Sequence, residues 1–104
     1  MDKFEYINEL LPFYLQLLTQ RQQEICKAYY YDDLSLSEIA ENLNISRNAI
    51  FDCLKKSEQI LINYEEKLHL CANYNKRQEI FAKLRMLDNE IVEQLVQQLD
   101  KLED

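Results

Sequence analysis

None of the 104 residues is glycine, and only one, Pro12, is proline. Hairpins draw on glycine for positive-φ turns, and ligand-binding loops use it where backbone must approach closely. A chain without it is directed toward helices joined by short turns. The abundance of Leu, Ile, Glu, Gln and Lys favours the same outcome. The expected fold class is all-α. With 47% hydrophobic residues, one modest core can be buried, so a single helical domain over residues 1–104 is expected.

No apolar run approaches the roughly 20 residues of a membrane span, and the polar, acidic start Met1-Asp2-Lys3-Phe4-Glu5 does not resemble a secretory leader. No membrane insertion is expected, and the location is read as cytoplasmic. Cys26, Cys53 and Cys71 are odd in number and widely spaced, with no CxxC pair, which fits reduced thiols. His69 is the single histidine, and Cys71, two residues on, would point elsewhere on a helix. No metal site or cofactor is expected. Catalysis finds no support either: there is no glycine for a phosphate loop and no positioned nucleophile beside the histidine. Pairs such as Glu65-Glu66 read as ordinary helix-surface charges.

The formal net charge of −7 argues against indiscriminate binding to nucleic acid, which depends on phosphate neutralisation by Lys and Arg. Its distribution is uneven. Residues 88–104 carry Asp88, Glu90, Glu93, Asp100, Glu103 and Asp104 against Lys101 alone. Two positive islands stand out: Arg47, Lys55 and Lys56 against Asp52, and Lys76, Arg77, Lys83 and Arg85 against Glu79.

Apolar periodicity predicts a first helix over about 3–18, kinked or restarted at Pro12. Thr19, with Gln22 three residues on, predicts a capped second helix over about 20–31. Ser35 and Glu38 repeat that capping pattern ahead of Leu36, Ile39, Ala40 and Leu43, one face of a helix barely two turns long. Asn44 follows, a residue suited to a left-handed cap, and Ser46 can cap the next helix. From Arg47 the pattern predicts a helix to about 72, a further one ending near Leu87, and a last one over 89–102 capped by Asp88. Ile50, Leu54, Leu61, Tyr64, Leu68 and Cys71 recur at alternating three- and four-residue spacing, as in a coiled-coil seam.

Residues of about 35–56 therefore read as a helix-turn-helix, and 57–104 as a helical tail. Ala40 is small where the two helices cross, Asn44 can take the positive φ of the turn, and Ile39, Leu43, Ile45 and Ile50 form the small core between them. In such a motif the second helix presents its N-terminal side chains to the major groove. Its outward residues are Arg47, Asn48, Phe51, Asp52 and Lys55. Arginine pairs with guanine and asparagine with adenine, while Ser46, Lys55 and Lys56 suit phosphate. The candidate nucleic-acid-binding residues are thus Ser46, Arg47, Asn48, Phe51, Lys55 and Lys56. The alternative is that these charges are only the solvated face of an amphipathic helix.

Leu18-Thr19-Gln20-Arg21-Gln22, the run from Tyr29-Tyr30-Tyr31-Asp32-Asp33 to Ile39-Ala40, and Ile45-Ser46-Arg47 resemble region 4 of bacterial sigma factors. Over nearly its whole length, including Tyr64-Glu65-Glu66-Lys67-Leu68 and Gln97-Gln98-Leu99, the chain resembles the YlxM family of small bacterial helix-turn-helix proteins. The resemblance implies a sigma-region-4-like helix-turn-helix with a long helix and additional C-terminal helices, in a dimeric, cytoplasmic, regulatory protein. It also implies a link to the signal recognition particle pathway, because the family's gene neighbours those of the particle's GTPase and its receptor. Asn48 stands where the family favours glutamine, and Lys55-Lys56 where arginines are commoner. Lysine does not reproduce arginine's bidentate geometry.

The seven tyrosines could stack on single-stranded bases, but most lie at helical spacing beside aliphatics, where core or interface is the expectation. The seam through Leu61, Tyr64 and Leu68 has more apolar length than a monomer of this size covers, so a symmetric homodimer is expected. Two functions remain open. One is a non-catalytic DNA-binding regulator. The other is an adaptor for protein or RNA, such as a component of the signal recognition particle, that keeps the motif without reading DNA.

Overall fold

A computed structural model describes residues 1–103. It is all-helical among those residues: α1 (Lys3–Tyr14), α2 (Gln20–Cys26), α3 (Leu36–Leu43), α4 (Arg47–Leu68), α5 (Leu70–Arg85) and α6 (Glu90–Lys101). A 3₁₀ turn, Leu15–Leu17, follows α1, and a π-helical turn, Lys27–Tyr31, extends α2. The chain divides into two compact units, residues 1–71 and the segment from Ala72 onward.

In the first unit α4 is the spine, with α1, α2 and α3 all packed on it. Ile7, Leu10, Leu11 and Tyr14 of α1 meet Ile25 and Cys26 of α2, Ile39 of α3, and Ile50, Leu54 and Leu61 of α4 in one buried cluster. Local chemistry sets the helix starts. Asp2 accepts from the Glu5 N–H at 2.8 Å. Thr19 and Gln22 form the expected reciprocal cap, at 3.2 and 3.0 Å. α1 carries Pro12 in its last turn and closes two residues later, short of the expected Leu18, where Tyr14 leaves helical geometry (φ −126°) and the 3₁₀ turn begins.

Three expectations for the long helix change. It ends at Leu68, not near 72, because His69 is left-handed (φ 56°) and α5 restarts at Leu70. The restart is held by side chains of α1 and α4: the Leu70 N–H donates to the Tyr14 hydroxyl at 3.1 Å, and the Cys71 N–H to a Glu65 carboxylate oxygen at 3.0 Å. Glu65 is therefore buried, unlike its exposed neighbour Glu66, and is no surface charge. The seam is also largely consumed within the chain. Leu61 is fully buried and the Tyr64 ring stacks on Tyr14 with centroids 5.9 Å apart, which leaves only Leu68 of those three exposed.

The second unit is a helical hairpin. Phe81 and Val96 are its buried residues. Arg85 pairs with Glu93 at 3.2 Å, Arg77 with Glu103, and the Gln78 amide donates to Asp100 at 3.1 Å. The turn ahead of α6 differs from expectation by one residue. Asn89 is the cap, accepting from the Ile91 and Val92 N–H groups, while Asp88 takes a positive φ of 48°. Ile80, Leu87, Ile91, Leu95, Leu99 and Leu102 are exposed. The α6 side of the hairpin thus carries a longer run of exposed apolar residues than the seam of α4, where Leu68 remains exposed.

Candidate nucleic-acid interface

The helix-turn-helix is assembled by short-range contacts. Ser35 Oγ accepts from the Glu38 N–H at 3.1 Å, and the Glu38 carboxylate accepts from the Ser35 N–H at 3.0 Å. The Ser35 N–H, and after it the Ser35 hydroxyl, hold the Glu38 carboxyl below its ordinary value. α3 ends at Asn44, left-handed at φ 56° and ψ 45°. The Asn44 and Ile45 N–H groups turn back to the Glu41 and Ala40 carbonyls, at 3.3 and 3.1 Å. Ser46 then opens α4, its Oγ accepting from the Ala49 N–H at 3.0 Å. Ile39, Ala40 and Ile50 are buried beneath the turn, with Leu43 half-buried; Ile45, expected beside them, is exposed.

Every candidate residue, Ser46, Arg47, Asn48, Phe51, Lys55 and Lys56, is exposed. At about 100° per residue, Arg47, Asn48, Phe51 and Lys55 share an arc of roughly 100° along α4. Asp52 stands at its edge, and Lys56 points well outside it. Five of the six are thus brought together at the start of α4, if Ser46 is counted as the residue that fixes the first turn. The first N–H groups of a helix lack intrahelical partners and attract anions, so this end of α4 suits phosphate as well as base edges.

Two features of the site escaped the sequence reading. Lys55 Nζ lies 5.3 Å from the centre of the Phe51 ring, a cation–π contact that the four-residue spacing allows. Lys55 also lies 4.0 Å from a carboxylate oxygen of Glu58, which is buried. Glu58 is shared further, with Lys3 at 2.9 Å and the Tyr30 hydroxyl at 2.7 Å. Burial and that carboxylate push the Tyr30 phenol well up from its ordinary value. Phe4, Tyr29 and Tyr30 pack on one another with centroids 5.0–5.9 Å apart, Tyr30 buried, Tyr29 half-buried and Phe4 exposed. Of the consecutive Tyr29, Tyr30 and Tyr31, Tyr31 alone is exposed.

Elsewhere, Cys71 turns its thiol onto the Glu9 carbonyl at 3.8 Å, while His69 is exposed in its left-handed turn. Among the described residues no three His, Cys, Asp or Glu side chains are grouped to hold a metal ion. No described helix is long and apolar enough to cross a membrane.

Residues 1–102 match the family described as "Putative helix-turn-helix protein, YlxM / p13 like". The chain belongs to the YlxM / p13-like family. Similar family members include UPF0122 proteins of Bacillus cereus (strain AH187), Bacillus anthracis (strain A0248) and Bacillus thuringiensis subsp. konkukian (strain 97-27). Each is 42% identical, over 99% of this chain and 99% of its own length. The YlxM / p13-like family and the geometry of α3, Asn44 and α4 agree on an all-α helix-turn-helix protein. Membership points to a non-enzymatic role.

Proposed function

We propose that this protein is a non-catalytic regulator that places the start of α4 in the major groove of duplex DNA, with Arg47 and Asn48 facing base edges. The observation that carries this reading is the first turn of α4, capped by Ser46 and reached through a left-handed Asn44, with Arg47 and Asn48 exposed side by side. Lys55 serves as a phosphate contact two turns on, and Lys56 flanks the site. The test is duplex binding at a series of salt concentrations. Binding that weakens with salt and weakens further in Arg47→Ala supports the reading; affinity indifferent to that substitution removes it. Lys55→Ala is expected to reduce the slope of log affinity against log salt by about 1, and Lys56→Ala by less.

A homodimer is part of the proposal, with its contact on the hairpin. Glu93 and Asp100 of α6, and Glu103 just beyond it, are engaged with α5. The stripe Ile91, Leu95, Leu99 and Leu102 is exposed and bordered on one side by the uncharged Gln94 and Gln98, which suits contact with a second copy there.

The same stripe, with the net charge of −7, favours a second reading: an adaptor that docks protein or RNA and does not read DNA. The family resemblance makes signal recognition particle components the partners to test. Retention of particle RNA or GTPase, with no duplex binding at low salt, would establish that reading in place of the first.

A further inference from the structure

Phe51 lies one helical turn, about 6 Å, beyond Arg47 on the exposed arc of α4. It is 45% exposed. Lys55 Nζ stands over its ring, 5.3 Å from the centroid. Lys55 is itself drawn toward Glu58 at the far end. The ammonium stands over one face of the ring, and the exposed part of the ring lies on the same arc of α4 as Arg47 and Lys55.

In a major groove, the feature that distinguishes base pairs to an apolar side chain is the C5-methyl group of thymine. We propose that Phe51 reads a thymine methyl, about two base pairs from the purine faced by Arg47 and Asn48, taking 3.4 Å per base pair. The inference rests on the DNA-binding reading above and names its substrate class. The ligand is B-form, thymine-bearing duplex. RNA offers neither the methyl group nor a major groove that side chains can enter. A chain of net charge −7 gains little from general attraction to phosphate, with Asp52 at the edge of the same arc. Discrimination by an uncharged contact is therefore well matched to it.

The probe is the duplex that the wild-type protein itself selects from a pool with a randomised centre. Selected duplexes should hold thymine at one fixed distance from a purine. Replacing that thymine by deoxyuridine removes the methyl group alone, and should weaken wild-type binding about three- to fivefold. Phe51→Ala should bind the two duplexes equally, and its thermal melt shows whether it is folded. Equal wild-type affinity for both duplexes, or no thymine at the fixed position, overturns the Phe51 assignment and leaves the DNA-binding reading standing. Failure of the wild-type protein to select any duplex overturns both. The deoxyuridine arm uses unaltered protein, so it can overturn the assignment even if Phe51→Ala does not fold, and Phe51→Leu, which keeps an apolar side chain, then carries the assignment to this residue.

Discussion

The hydroxyl of Tyr14 donates to the carboxylate of Glu65 at 2.6 Å, across 51 residues of sequence. The two groups then accept the Leu70 and Cys71 N–H donors at the start of α5. A side chain from α1 and one from α4 thus do together what a single capping residue does at the other helix starts. The break at His69 depends on them, because nothing in Leu68-His69-Leu70 is a helix breaker.

Tyr14→Phe keeps the packing and removes the hydroxyl, leaving Glu65 and the Leu70 N–H each one partner short. A loss of about 1–3 kcal/mol is expected in urea unfolding, the range for an unsatisfied buried polar group. A change below about 0.5 kcal/mol would show that water replaces the hydroxyl.

The same pair gives a pH dependence. Burial, then the Glu65 hydrogen bond, push the Tyr14 phenol up to about 12 from an ordinary 10.0. The folded state therefore holds this proton more tightly than the unfolded state does. Its contribution is complete below pH 10 and is lost as pH rises toward 12. Wild-type stability should fall across that window more steeply than that of Tyr14→Phe, as measured by urea unfolding at several alkaline pH values.

Asn44 holds φ 56°, a region costly for any residue with a Cβ that lacks a short polar group. Asn44→Gly is expected to change stability by less than about 0.5 kcal/mol, and Asn44→Val to lower it by about 1–2 kcal/mol. Thermal melts of the two variants decide this, and equal losses would mean that the turn tolerates another backbone conformation.

The three thiols differ in environment. Cys26 and Cys71 are buried and Cys53 is half-buried, and burial pushes the Cys26 thiol up to about 11. Labelling of the native protein at neutral pH should modify Cys53 first and the other two only as fast as the chain opens. Mass mapping that finds Cys26 modified first would contradict the packing of α2 on α4.

Leu95→Glu places a charge in the centre of the α6 stripe, at a side chain that is already 52% exposed. Sedimentation equilibrium is expected to show monomers, with helicity by circular dichroism unchanged. A wild-type protein that is monomeric at all concentrations would end the dimer proposal.

The caps around the helix-turn-helix were legible from sequence because their physics is local. Thr19 with Gln22, Ser35 with Glu38 and Ser46 with Ala49 each span three residues, and Asn44 needs only its own backbone. The absence of glycine determined the all-α class, and the spacing from Ala40 to Lys55 determined which side chains face outward on α4. Tertiary structure alone decided that Glu65 and Glu58 are buried, that α4 stops at Leu68, and that Leu61 and Tyr64 of the seam are covered within the chain. Those outcomes depend on partners 28 to 56 residues away, Tyr30 for Glu58 and Tyr14 for the start of α5. Helical periodicity fixes which residues share a face; which face a neighbouring helix covers is decided only when that helix arrives.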